Sequence, residues 1–183
     1  MANTEVPLSI IAAPAGNFAT AVVIGSQQYT PPSAQDNSYW FSVYDRYTLK
    51  QVYSYVQAGK GDTVPADLSG KYNTDQYFLV VATRTLYSAY VPAGALFTFL
   101  VDSGASTEMK KLTQAYQQLG CGSLGVVNYV MAGTLGPGQP SHPRVEASVI
   151  GASQSLFFEA TLIGVQVGSQ TLYTPFPLTD PTL

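Results

Sequence analysis

Charge is scarce in this sequence. Eight Lys and Arg and eleven Asp and Glu make up 10% of the chain, against roughly 25% in average usage. The net charge is -3 and the basic residues are scattered, so no run of them can neutralise a phosphate backbone, and nucleic acid is excluded as the expected partner. Cys121 is the single cysteine and lies between Gly120 and Gly122. An intrachain disulfide and a CxxC site are therefore excluded, and the thiol reads as structural. The single histidine, His142, sits in a loop between Pro140 and Pro143, so local spacing provides no Ser-His or Cys-His pair. Continuous apolar stretches such as Phe78 to Ala82 fall far short of the roughly 20 residues needed to cross a bilayer. From Met1 to Phe18 there is no basic start, and Glu5, Pro7, Pro14 and Asn17 interrupt the apolar positions, so no secretory signal is read there. HExxH, EF-hand, P-loop and GxGxxG patterns are missing, and no cofactor or metal is expected.

Apolar residues are plentiful. They form 46% of the chain, too many for disorder, and a single domain of 183 residues buries roughly 70% of its unfolded surface. Thirty-three Ser and Thr and thirteen Tyr outnumber the nineteen charged residues, so the surface is polar without being charged. That profile suits extracellular or particle-associated β proteins and lectin-like ones.

Period-two alternation and Val, Ile, Phe, Tyr and Thr enrichment predict strands at Ala19–Gly25, Tyr39–Tyr44, Gln76–Thr83, Leu96–Val101, Gly125–Ala132, Val145–Ile150 and Leu156–Val167. Gln51–Gln57 fits both periods and is read as strand on its tyrosines and valines. One helix stands out at Thr107–Leu119: Ser106 caps it, Glu108 meets the positive end of its dipole, Gly120 closes it, and Met109, Leu112, Tyr116 and Leu119 form its apolar stripe. A shorter helix is expected at Pro65–Ser69. Residues from about 174 to 183, rich in proline, read as an extended tail. The expected architecture is α+β, mostly β: two packed, largely antiparallel sheets with one dominant amphipathic helix.

Chemistry-bearing patterns are few. Phe99-Leu-Val-Asp102-Ser-Gly-Ala-Ser106 looks like the active-site loop of retroviral-type aspartic proteases, which needs two such aspartates sharing a proton across a dimer. The alternative role of Asp102 and Ser103 is a turn before the helix. Asp45, Asp62, Asp75, Asp102, Glu146 and Glu159 offer carboxylates for glycoside hydrolysis, without a reason to choose any pair. Aromatics remain: Trp40, Tyr87 and Tyr90 are candidates for stacking on sugars or anchoring a protein interface, with His142 and Arg144 beside them as candidate ligand contacts.

Phe41-Ser-Val-Tyr-Asp45, then Gly61-Asp62-Thr63, then Phe78-Leu-Val-Val-Ala82, then Asp102-x-x-Ala105-Ser106 with an amphipathic helix and Leu119-Gly120 follow one another in an order that resembles the interleukin-like epithelial-mesenchymal transition inducer domain. The likeness covers roughly residues 39 to 136. It departs in lacking that family's disulfide cysteines and in an extra stretch from about Leu86 to Phe99. The resemblance implies a compact α+β fold that binds a protein or a glycan and is not an enzyme, with Asp62 a turn residue and Asp102 and Ser106 fixing the helix start. The functional expectation is a non-enzymatic binding module recognising glycan or protein on a microbial surface, secreted complex or phage-like particle. The alternative is a self-assembling structural subunit joined through open edge strands.

Overall fold

The computed structural model describes residues 4–14, 19–59, 61–119, 126–137, 145–151 and 154–178. It is mostly β, with two antiparallel sheets, three α-helices and one short 3-10 helix (Ser88–Tyr90) among these residues. The first sheet has the order β11 (Gln170–Pro177), β10 (Leu156–Val167), β1 (Thr4–Ala12), β2 (Ala21–Ile24) and β3 (Gln27–Tyr29). The second runs β5 (Gln51–Ala58), β4 (Ser38–Asp45), β6 (Tyr77–Arg84) and β8 (Val126–Thr134). The short β7 (Leu86–Tyr87) pairs with the start of β8, and β9 (Val145–Ile150) pairs with Val127 to Ala132.

The second sheet is the middle layer of the molecule. On β4, Trp40 and Tyr44 face the first sheet, where they join Phe78, Val80, Ala82, Val130, Leu8, Ile10 and Leu162 in one buried cluster. Tyr39, Phe41 and Val43 face the other way, with Leu79, Val81, Tyr129 and Met131, onto the helices. Both faces of these strands are apolar because both are covered, so Phe78 to Ala82 reads as a run rather than an alternation. Each such side chain, fully buried, stabilises the fold by roughly 1.5–3 kcal/mol.

The helices α1 (Ala66–Ser69), α2 (Gly94–Asp102) and α3 (Thr107–Leu119) supply Leu68, Leu96, Leu100, Met109 and Leu112 to that second cluster. The strand expected at Leu96–Val101 is instead the body of α2. Leu96 and Leu100, four residues apart, are its buried residues, and that spacing places both on one helical face. A short segment with five apolar residues of six does not by itself distinguish a helix from a buried strand. The connection after α2 lies directly on the sheet: a Cβ at Gly133 would sit 1.7 Å from the Ser103 carbonyl oxygen, so only glycine fits there on β8.

β5 forms as a strand, and α3 has the expected bounds. Residues 174–177 of the expected tail belong to β11, with Phe176 opposite Thr161 and Pro177 opposite Ala160. Prolines at 175 and 177 are tolerated because β11 is an edge strand. Among the described residues no helix is long and apolar enough to cross a membrane.

Candidate functional site

The residues singled out from the sequence do not gather in one place. Trp40 is buried between the sheets, where its Nε1 donates to Ser54 Oγ at 2.9 Å, so it cannot stack on a ligand. Tyr87 is 49% exposed and its backbone N–H donates to Asn37 Oδ1 at 3.0 Å. Tyr90 is half-buried, and its carbonyl accepts the Tyr39 hydroxyl. Burial pushes that Tyr39 hydroxyl well above the ordinary tyrosine value, which keeps it a donor. Asp62 is exposed in the turn after Gly61. Asp102 is exposed at the last position of α2, whereas the aspartic-protease loop requires an aspartate that follows a strand. His142, Arg144, Gly120 and Cys121 lie outside the described residues.

Glu146 on β9 is the acid that the sequence offered without a role. Its Oε2 accepts from the N–H of Ser106 at 3.0 Å, the N–H of Met109 at 3.4 Å and the Tyr129 hydroxyl at 2.9 Å. Its Oε1 accepts from the N–H of Glu108 at 3.1 Å. A carboxylate supplied by a neighbouring strand thus holds the positive end of α3, in addition to Ser106, whose Oγ accepts from Thr107 N–H. Burial, then Glu146, pushes the Tyr129 hydroxyl well above its ordinary value, so it stays protonated and donates. Glu108 in turn accepts from Lys111 Nζ and Ser148 Oγ, both at 2.7 Å, and these bonds hold its carboxyl below the ordinary value. Both Glu146 oxygens and Glu108 Oε2 fasten helix to sheet, while Glu108 Oε1 is held by Lys111 of the same helix, which suits a structural joint. Among the described residues no three His, Cys, Asp or Glu side chains gather as a metal site.

The surface that the fold leaves open is the outer side of the first sheet. Along β10, Ala160, Leu162 and Gly164 are buried, while Phe157, Val165 and Val167 are exposed, Phe157 by 61% and Val165 by 54%. Register places Ile11 opposite Phe157, Leu172 opposite Val165 and Phe176 opposite Thr161 on the same side. Ile11, Ile163, Leu172 and Phe176 are half-buried there. The charges carried at these outward positions are both acidic: Glu5, opposite Ile163, and Glu159, which accepts from Ser9 Oγ at 2.7 Å. Among the described residues the result is a face of apolar side chains with two acidic points and no exposed base.

Sequence reasoning placed the Leu156–Val167 strand but missed β1, β3 and β11, so this face had no neighbours from which to be assembled. The signal was present in Val6, Leu8, Ile10 and Ala12 at period two, with Ile11 on the other side. No protein-family model and no curated protein matches the chain.

Proposed function

We propose that this chain is a non-enzymatic interaction module that recognises a protein partner through the outer face of its first sheet. The observation that carries this reading is the row of exposed apolar side chains on β10, Phe157, Val165 and Val167, flanked by half-buried Ile11, Ile163 and Leu172. Exposed apolar side chains at both ends of one sheet face, on a chain so rich in polar uncharged residues, suit a contact surface. Its acidic points, Glu5 and Glu159, favour a partner with an apolar patch and basic groups opposite them. The resemblance to the interleukin-like inducer domain supports the same class of activity, binding rather than catalysis. A protein is favoured over a glycan because Trp40 is in the core, where it cannot stack on a sugar.

The test compares the wild-type chain with Phe157→Asp/Val165→Asp, both immobilised, against extracts of the source cells, with a glycan array run in parallel. Both positions are more than half exposed, so the variant keeps its fold. The expected result is a protein retained by wild type and weakened about 100-fold or more in the variant, since two anchors of a contact surface are lost. Retention of the same protein by the variant contradicts the reading. So does glycan binding that Tyr87→Ala abolishes.

A further inference from the structure

The two sheets have four edges, and three of them are defended. β3 has three residues. β11 carries Pro175 and Pro177, and along it Arg46 accepts from the Tyr173 N–H and donates Nε to the Tyr173 carbonyl, at 2.9 and 2.8 Å. β9 carries the charge of Glu146. These are the usual devices that stop one sheet from adding a strand of another molecule. β5 is defended less: the Tyr72 hydroxyl reaches its Val52 carbonyl, but the strand itself offers no obstacle. It is eight residues long, Gln-Val-Tyr-Ser-Tyr-Val-Gln-Ala, without charge or proline, and ends its sheet.

The strand also reads the same in both directions. From Gln51 to Gln57 the order is Gln-Val-Tyr-Ser-Tyr-Val-Gln, a palindrome centred on Ser54. We propose that β5 pairs antiparallel with β5 of a second copy of this chain, about a two-fold axis through Ser54. In that register Val52 faces Val56 of the second copy, Tyr53 faces Tyr55, Gln51 faces Gln57, and Ser54 faces Ser54. Every pair is like with like and none sets two charges against each other, as a self-complementary isologous contact requires.

The backbone parity agrees with this axis. Gly59 N–H donates to the Asn37 carbonyl at 2.9 Å, in the same register that places Gln57 opposite Tyr39 and Tyr55 opposite Phe41. Alternation then turns the backbone of Tyr53, Tyr55 and Gln57 toward β4 and that of Val52, Ser54 and Val56 outward. The Val52 carbonyl does point out, accepting from the Tyr72 hydroxyl at 3.0 Å; in the pair it would accept a second bond, from the incoming strand. An axis through an outward residue makes the facing pairs Val52/Val56, Ser54/Ser54 and Val56/Val52 the hydrogen-bonded ones.

The side chains give the second copy something to cover. Tyr55 is 44% exposed and Val52 39% exposed. Tyr53 and Tyr55 stack with ring centroids 6.2 Å apart, and Tyr53 meets Tyr72 at 5.2 Å. Pairing would extend this row of rings across the axis, with Tyr53 and Tyr55 of each copy as neighbours on one side of the joined sheet.

Light scattering over a concentration series, on the full chain, tests the proposal. Wild type is expected as a dimer, and Tyr55→Lys, which puts an ammonium at the join, is expected to weaken it about 100-fold or more. Val52→Lys makes the same test should Tyr55→Lys lose its far-ultraviolet circular dichroism. Directly opposed hydrogen-bonded residues lie about 5.5 Å apart at Cα and face the same side of the sheet, too wide at Cβ for a direct disulfide but within reach of a short bifunctional thiol reagent. Ser54→Cys in a Cys121→Ser background is therefore expected to be cross-linked to its counterpart by such a reagent. A wild-type chain monomeric throughout the series overturns the proposal. A dimer unaffected by Tyr55→Lys and Val52→Lys, or one that Ser54→Cys fails to cross-link, also overturns it.

Discussion

The guanidinium of Arg46 joins the two sheets. Its Nε donates to the Tyr173 carbonyl at 2.8 Å, one terminal nitrogen to the Asp75 carbonyl at 2.7 Å, and the other to Thr174 Oγ1 at 2.6 Å. The residue is 5% exposed; burial pushes its pKa below the ordinary arginine value and the Asp75 carboxylate acts in the opposite direction. Truncation strips three acceptors, one buried and two part-buried, of a charged donor at once, so Arg46→Ala should destabilise by about 2 kcal/mol. Urea unfolding checks this, with a lowered midpoint and an unchanged slope; a variant as stable as wild type would mean that the sheets are held by apolar contact alone. Its neighbour Asp45 governs acid stability. Burial pushes the Asp45 carboxyl up, but bonds from Gln76, Thr48 and Tyr47 together hold it below its ordinary value. The folded carboxyl then binds its proton less readily than the unfolded one. Its contribution is present at neutral pH and is lost as pH falls from about 4 through the lower folded value. Asp45→Asn should therefore lose less stability than wild type between about pH 6 and about pH 3, as read from unfolding free energies at the two ends; an equal loss would remove Asp45 from the account. The sequence showed Arg46 only as one scattered base, because all three acceptors come from segments far away in the chain.

Element by element, legibility followed what each segment is packed against. α3 was readable because a polar face and an apolar stripe coexist on it, with Met109 and Leu112 buried and Lys110 and Lys111 exposed. α2 was not, because Leu96, Phe97, Phe99, Leu100 and Val101 leave little polar contrast from which to read a period. β11 was hidden by two prolines that only an edge strand accepts. The helix-terminus acid was hidden too, since Glu146 is distant in sequence from the N–H groups it holds. Glu146→Gln keeps the shape and removes the charge at the end of α3, which should cost about 1 kcal/mol. Hydrogen exchange should show the first-turn amides of α3 faster while those of β4 and β6 change little. Uniform acceleration across the molecule would mean that α3 and the sheets open together.

At the scale of the molecule, the described residues of two sheets and a helix layer bury both faces of the second sheet and only one face of the first. The outer face of the first sheet and the β5 edge of the second lie on different elements, β10 and β5. Their exposed residues are also different in kind: aliphatic and phenyl groups with two acids on the face, tyrosine, valine and amides on the edge. The account assigns the edge to a second copy and the face to a different protein. Composition implies a polar, uncharged surface and leaves the activity open, and the division depends on strand order, which neither composition nor local pattern contains. The solution mass of three proteins, wild type, Tyr55→Lys and Phe157→Asp/Val165→Asp, tests that division most directly. The account predicts a dimer for wild type and for the β10 variant, and a monomer for Tyr55→Lys. A dimer that survives Tyr55→Lys and is lost in Phe157→Asp/Val165→Asp would contradict it, making the sheet face the self-association surface.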